Sequence, residues 1–165
     1  MQSVGEKIVQ LSQADDEPLW PPAFGAWIKI GVVYQRTHRH LAALLRPLDL
    51  TVPQFDALAN LYVGDGISQQ ELARRMLVTK GNVSSLVDKL TERGLTKRET
   101  DPSDRRANRV RLTRSGRNLA KRALVVQRDL VADMMGALSP KEQERLRKLL
   151  TRVVAQLEEG DPKHG

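Results

Sequence analysis

ISQQELARRMLVTKGNVSSLVDKLTERGLTKRETDPSDRRANRVRLT, residues 67–113, holds two short helical patterns, a glycine stop and a basic hairpin, in that order. Ser68 stands three residues before Glu71, the capping-box spacing in which hydroxyl and carboxylate satisfy each other's orphan backbone donors. The helix it opens buries Leu72, Ala73 and Met76 and breaks at Leu77-Val78-Thr79. Thr79 caps a second helix, in which Val83, Leu86, Val87 and Leu90 recur at the i, i+3, i+4, i+7 spacing of a buried stripe. Its other face carries Lys80, Asn82, Ser84, Ser85 and Lys89, all hydrogen-bonding side chains. Gly94 stands where a chain leaving a helix needs the left-handed conformation, which predicts an end near Arg93. The pattern is a helix-turn-helix with a polar reading face.

Leu95 to Thr100 and Asn108 to Leu112 are short β-prone runs, and Asp101-Pro102-Ser103-Asp104 supplies turn chemistry between them. Arg105, Arg106, Arg109 and Arg111 crowd the far side of that turn. A basic hairpin directly after a reading helix is a wing, able to reach phosphates or an adjacent minor groove. A solvated charged loop on an unrelated helical protein is the bland alternative. The ordered succession of cap, period, glycine stop and wing weighs against it.

These residues carry a family resemblance. Leu50-Thr51 with Gln54-Phe55 opening a helix, the Glu-Arg-Gly-Leu exit at Glu92 to Leu95, and Asp104-Arg105-Arg106 followed by Leu112-Thr113 and Gly116 resemble the MarR family of winged helix-turn-helix regulators. The resemblance covers roughly residues 23–157. It implies a homodimer that binds pseudo-palindromic operator DNA and is often released by a small ligand.

The bulk numbers agree with that class. A length of 165 residues suits one domain, or one domain plus an oligomerisation element. A formal net charge of +7 favours polyanionic partners without separating DNA from RNA or a membrane surface. Distribution helps more: Lys97, Arg98, Arg105, Arg106, Arg109, Arg111, Arg114 and Arg117 face only Glu99, Asp101 and Asp104 around the wing. The chain has no cysteine, which removes disulfides, zinc-thiolate sites and the cysteine-based peroxide sensing that some members of the resembled family use. No apolar run reaches membrane-spanning length and no signal-peptide pattern opens the chain, so a cytoplasmic protein with no membrane partner is expected.

The expected fold is mainly α with a small β-hairpin wing. Residues 1–22 read as an N-terminal arm, mobile or packed on a partner, because Ala14-Asp15-Asp16-Glu17-Pro18 and Pro21-Pro22 interrupt any helix there. Residues 51–113 form the winged helix-turn-helix, and residues 23–50 and 114–160 a helical dimerisation region. In the first of these, a helix from Ala23 to Arg46 aligns Trp27, Ile30, Tyr34, His38, Leu41 and Leu45 on one stripe, and Pro47 stops it. Thr51 and Gln54 form a second capping box ahead of Phe55, Leu58, Leu61 and Tyr62. Thr113 opens a long helix, and Ser139, Pro140 and Glu142 open the last one, which buries Leu146, Leu149, Leu150, Val153, Val154 and Leu157. Long apolar helices at both ends suit a dimer interface, with packing inside one chain as the alternative. The resemblance favours the dimer.

The candidate DNA-binding residues are Thr79, Lys80, Asn82, Ser84, Ser85 and Lys89 on the reading helix, together with Arg105 and Arg106 in the wing. Asn82 suits bidentate contact with adenine, while Lys80 and Lys89 serve equally as phosphate clamps. Arg106 is favoured for the minor groove. The resemblance suggests that the other arginine and Asp104 brace the wing, although nothing in the sequence orders Arg105 and Arg106. For a small-molecule effector the resemblance points between the dimer helices and the winged module, where Trp27, Tyr34, His38, Phe55 and Asp56 are candidates. An anionic aromatic ligand suits the abundance of arginine, but the aromatics serve equally as core. His38 and His40 point about 200° apart on a helix and cannot share a metal ion. With no His-Glu-x-x-His, phosphate loop or nucleophile elbow, neither an enzyme nor a cofactor is expected. The expected function is a sequence-specific transcriptional repressor; the alternative is an architectural protein indifferent to DNA sequence.

Overall fold

The computed structural model describes residues 22–100 and 108–160. The N-terminal arm before Pro22, the Asp101 to Asp104 turn with Arg105 and Arg106, and His164 lie outside those residues. The chain divides into two compact units, residues 1–127 and 128–165.

Helix α1 spans Pro22–Leu45. It gives way to a tight 3-10 turn, Arg46–Leu48, because Pro47 cannot continue the helical ladder. Asp49 then takes a left-handed conformation (φ 51°), and its amide closes the turn on the Arg46 carbonyl at 2.9 Å. Helix α2, Val52–Val63, starts with the expected capping box: the Thr51 amide donates to Gln54 Oε1 at 3.0 Å and the Gln54 amide to Thr51 Oγ1 at 3.4 Å. Phe55, Ala57, Leu58 and Leu61 on α2 form the centre of the core, and Tyr62 is only half-buried.

A two-residue strand, β1 (Ile67–Ser68), precedes helix α3 (Gln69–Met76) and has no counterpart in the expectations from sequence. Two residues are too few to show a strand period, and Ile67 finds its partner, Val110, only in three dimensions. Helix α4 is Lys80–Glu92, followed by β2 (Thr96–Thr100) and β3 (Asn108–Leu112). The antiparallel sheet runs in the order β1-β3-β2, so the wing hairpin is stitched to the start of α3 through its central strand. Val110, at the middle of β3, is completely buried.

The Ser68 hydroxyl caps α3 as expected, accepting from the Glu71 amide at 3.1 Å. The reciprocal half of the box gives way. The Glu71 carboxylate instead takes Arg74 and Arg75 at 2.7–2.9 Å, since charge-assisted bonds outcompete one to a neutral amide. Leu72 and Ala73 are buried, while Met76 and Leu86, placed in the buried stripes by periodicity, are half-buried. Thr79 caps α4 through the Asn82 amide, and Gly94 ends it at φ 66°.

Helix α5, Arg114–Met135, starts where α4 and β2 meet. The Thr113 hydroxyl donates to the Gly94 carbonyl at 2.7 Å and accepts from the Gly116 amide at 3.0 Å. The Thr113 amide donates to the Leu95 carbonyl at 3.0 Å. Gly116 is buried directly against that carbonyl, and a Cβ there would collide with it. Helix α6, Pro140–Gly160, has the expected Ser139–Glu142 box. Gln143 ties the turn before it to the Met135 and Leu138 carbonyls, at 3.0 Å each.

The apolar stripes of the terminal helices differ from expectation. On α1 only Leu41 and Leu45 are buried, whereas Trp27 is 64% and Tyr34 68% exposed. On α6, Leu149, Leu150, Val153, Val154 and Leu157 are all exposed, and Leu146 is half-buried. Periodicity identifies an apolar face but cannot say whether its cover lies in the same chain.

Replacing Gly116 by Ala forces the start of α5 away from Leu95. A loss of about 1–3 kcal/mol is expected, as for other overpacked sites, and reads out as a lowered thermal midpoint. An unchanged midpoint would show that the junction yields freely.

Candidate nucleic-acid interface

Three devices aim α4. Its first turn is fixed by the Thr79 cap, its apolar side by the fully buried Val83, Val87 and Leu90, and its end by Arg93. The Arg93 guanidinium donates to Asp49 at 2.9 Å and to Gln54 Oε1 at 3.3 Å, fastening α4 to the approach of α2. What remains outward is the face expected from sequence: Thr79, Lys80, Asn82, Ser85 and Lys89 are exposed, and Ser84 is half-buried. Asn82, Ser85 and Lys89 line an open groove of about 430 Å³ together with Met76, Val78 and Leu86 and with Thr51, Pro53 and Gln54. Lys80 and Lys89 have no ion-pair partner among the described residues.

The flank of the wing is less free than its composition suggests. Glu99 takes both Lys97 and Arg111 at 2.7 Å, and the Lys97 bond is the main cause of a carboxyl pKa below the usual range. Arg98 reaches Asp88 of α4 at 2.6 Å, and Arg117 reaches Asp65 at 2.7 Å. Arg109 donates to the Gly66 carbonyl at 3.2 Å. Among the described residues of this stretch, Lys97, Arg98, Arg109, Arg111 and Arg117 are thus engaged inside the protein. Asp104, Arg105 and Arg106 lie outside the described residues.

Asp65, flanked by Gly64 and Gly66, is a functional residue to which the sequence assigned no role. Its Oδ1 accepts from the Leu112 amide at 2.9 Å while Oδ2 holds Arg117, whose guanidinium carbon lies 5.5 Å from the centre of the Tyr62 ring. One turn carboxylate thereby joins α2, β3 and α5. The glycine-flanked aspartate was the available signal, but its partners are more than forty residues away.

The effector candidates occupy several environments. Trp27 contacts Phe24, with ring centres 5.1 Å apart, and Tyr34 contacts His38 at 5.8 Å, all on α1. Phe55 is 1% exposed and belongs to the core. Asp56 is half-buried, and burial raises its carboxyl pKa, with attraction to His38 acting in the opposite direction. The structure therefore brings Asp56 and His38 within electrostatic reach of each other. Among the described residues no group of three or more His, Cys, Asp or Glu side chains could hold a metal ion.

A raised folded-state pKa means that the folded chain binds the Asp56 proton more tightly than the unfolded chain does. Its favourable contribution is complete below the ordinary carboxylate range and is lost as pH rises through the raised value. Asp56→Asn, always neutral, should be more stable than wild type in urea unfolding at pH 7. The advantage should shrink below about pH 4, the ordinary range of an aspartate. Equal stability at pH 7 would contradict this reading.

Helix-turn-helix, three-stranded sheet and polar reading face together define a winged helix-turn-helix DNA-binding protein. A MarR family profile matches residues 48–107. The chain is 33% identical over 140 residues to the HTH-type transcriptional repressor Rv2887 of Mycobacterium tuberculosis, an alignment covering 85% of this chain and 96% of that protein. The structure of MepR from S. aureus in complex with DNA is similar with a TM-score of 0.71 and 25% identity, over 78% of this chain and 94% of that one. The PcaV regulator of Streptomyces coelicolor, solved with its natural ligand, gives 0.63 and 25%, over 76% and 91%. The chain belongs to the MarR family, and it is a transcriptional regulator rather than an enzyme. Among the described residues no helix is long and apolar enough to cross a membrane.

Proposed function

We propose that the chain is a cytoplasmic homodimeric repressor that binds a pseudo-palindromic operator and is released by a small ligand. The observation that carries the reading is the outward face of α4, where exposed Asn82 and Ser85 stand beside Lys80 and Lys89, and neither lysine is held by a carboxylate among the described residues. Asparagine and serine there can hold phosphates but can also read base edges, asparagine bidentately on adenine, which favours a sequence reader over the architectural alternative. Thr79, Lys80, Asn82, Ser84, Ser85 and Lys89 are assigned to the major groove, and Arg106 to the minor groove, with Arg105 and Asp104 bracing the wing tip. Residues 51–113 form the DNA-binding module.

Dimerisation through residues 23–50 and 114–160 accounts for the exposed apolar faces of α1 and α6, which a second copy of the chain covers. Trp27, Tyr34, His38 and Asp56 are assigned to the ligand site, with Phe55 in the core beneath the α2 face. A planar anion fits the exposed rings and the imidazole. The ligand favours a spacing of the two modules that no longer matches the DNA, a population shift needing only a few kcal/mol. Rv2887 being a repressor, MepR having been solved with DNA and PcaV with its ligand all support this reading.

Three measurements test it. Fluorescence anisotropy on a duplex recovered by selection should give an affinity at least about a thousandfold above that for a scrambled duplex. A ratio near one favours the architectural protein. Arg106→Ala should weaken that binding clearly with the dimer intact, and unchanged affinity removes the wing role. Replacing Leu149 and Leu150 by Glu should give monomers by sedimentation and abolish tight binding, whereas a variant that stays dimeric places the interface elsewhere.

A further inference from the structure

Arg98 is the one basic residue of β2 that reaches back to the reading helix. Its Nη2 lies 2.6 Å from Asp88 Oδ1 on α4. In the amide orientation that satisfies both groups, Gln69 Oε1 at the start of α3 accepts from the Arg98 Nε at 3.0 Å and from Nη2 at 3.1 Å. One guanidinium thus joins both helices of the helix-turn-helix to the middle of the wing's first strand. Arginine suits this position because its donors form a rigid fork, so two acceptors fix its plane as well as its place.

The pair is a poor stabiliser. Both side chains are partly solvated, 33% and 47% exposed, and ion pairs of that kind add little to folding. Its position is also electrostatically odd for a DNA-binding protein. Asp88 follows Ser84 by four residues and directly precedes Lys89, which puts a carboxylate at the margin of the face that meets phosphates. On charge alone the chain would bind DNA better without it.

We propose that Arg98, held by Asp88 and Gln69, is a positioning residue that sets the angle between wing and reading helix, so that α4 and the wing tip engage their grooves together. A two-stranded hairpin alone is only marginally ordered, and β1 steadies the wing from the β3 side. Arg98 supplies the matching restraint on the β2 side. It is therefore engaged within the protein and does not act as a phosphate clamp. The proposal rests on the operator-binding reading for its purpose, and its geometry stands independently.

The decisive variant is Asp88→Asn, because the two accounts differ in sign. Loss of a negative charge beside DNA should tighten binding, whereas loss of the brace should weaken it. The expected result is about fivefold weaker operator binding, the upper range for a partly exposed ion pair, with the thermal midpoint little changed. Hydroxyl-radical footprints should lose the flanking minor-groove protection made by the wing and keep the protection made by α4. Arg98→Ala should reproduce that footprint, and the exchange Asp88→Arg with Arg98→Asp should restore part of it. Amide hydrogen exchange of residues 96–100 in the free protein should be faster in Asp88→Asn. Binding that is unchanged or tighter, or exchange that is unchanged, overturns the proposal. If wild type selects no sequence, the operator reading fails, and the exchange experiment alone decides whether Arg98 braces the wing.

Discussion

The carbonyl group of Leu95 is the point on which the DNA-binding unit turns. It accepts the Thr113 amide, lies against the Cα of Gly116, and follows the left-handed Gly94 whose own carbonyl takes the Thr113 hydroxyl. Within these few residues the reading helix ends, the wing begins and α5 departs. No side chain fits at Gly116, and the start of α5 meets Leu95, the residue before β2, backbone to backbone. Such contacts have little slack compared with side-chain packing. Any displacement of the start of α5 is therefore felt at the exit of α4 and the root of the wing.

The remaining ties repeat this logic at longer range. Arg93 fastens the end of α4 to Asp49 and Gln54, Asp65 joins β3 and α5, and Arg98 crosses from β2 to Asp88. Each uses a charged side chain close to the surface, so none is a large source of stability. Their shared effect is geometric, because α4, the wing strands and the start of α5 are held in one orientation. The net charge of +7 is consequently a poor guide to where phosphates bind. Of the cations around α4 and the wing flank, Lys97, Arg98, Arg111 and Arg117 are held by carboxylates, while Lys80 and Lys89 are not among those pairs.

Local chemistry made most of the fold legible. Thr51, Thr79, Ser139 and Gly94 act on residues within a turn of themselves, so their effects are written in adjacent letters. The polar face of α4 follows for the same reason, since a helical stripe of Val83, Val87 and Leu90 dictates what points outward. What escaped depends on distant partners. β1 exists because Ile67 meets Val110, and Glu71 abandons its capping box because two arginines compete for it. The pairing of the wing arginines likewise became visible only once the strand register was known. The exposure of Trp27, Tyr34 and the α6 leucines marks the limit of periodicity, because the pattern is apolar and no cover for it lies among the described residues.

The central claim is that two copies of the α4 face, held at a fixed separation, read DNA sequence. Its most direct test is selection of genomic fragments by the purified protein at physiological salt with excess random competitor. The account predicts recovery of a few fragments sharing an inverted repeat whose half-sites lie about one helical turn, roughly 34 Å, apart. Broad recovery with no shared motif would contradict it.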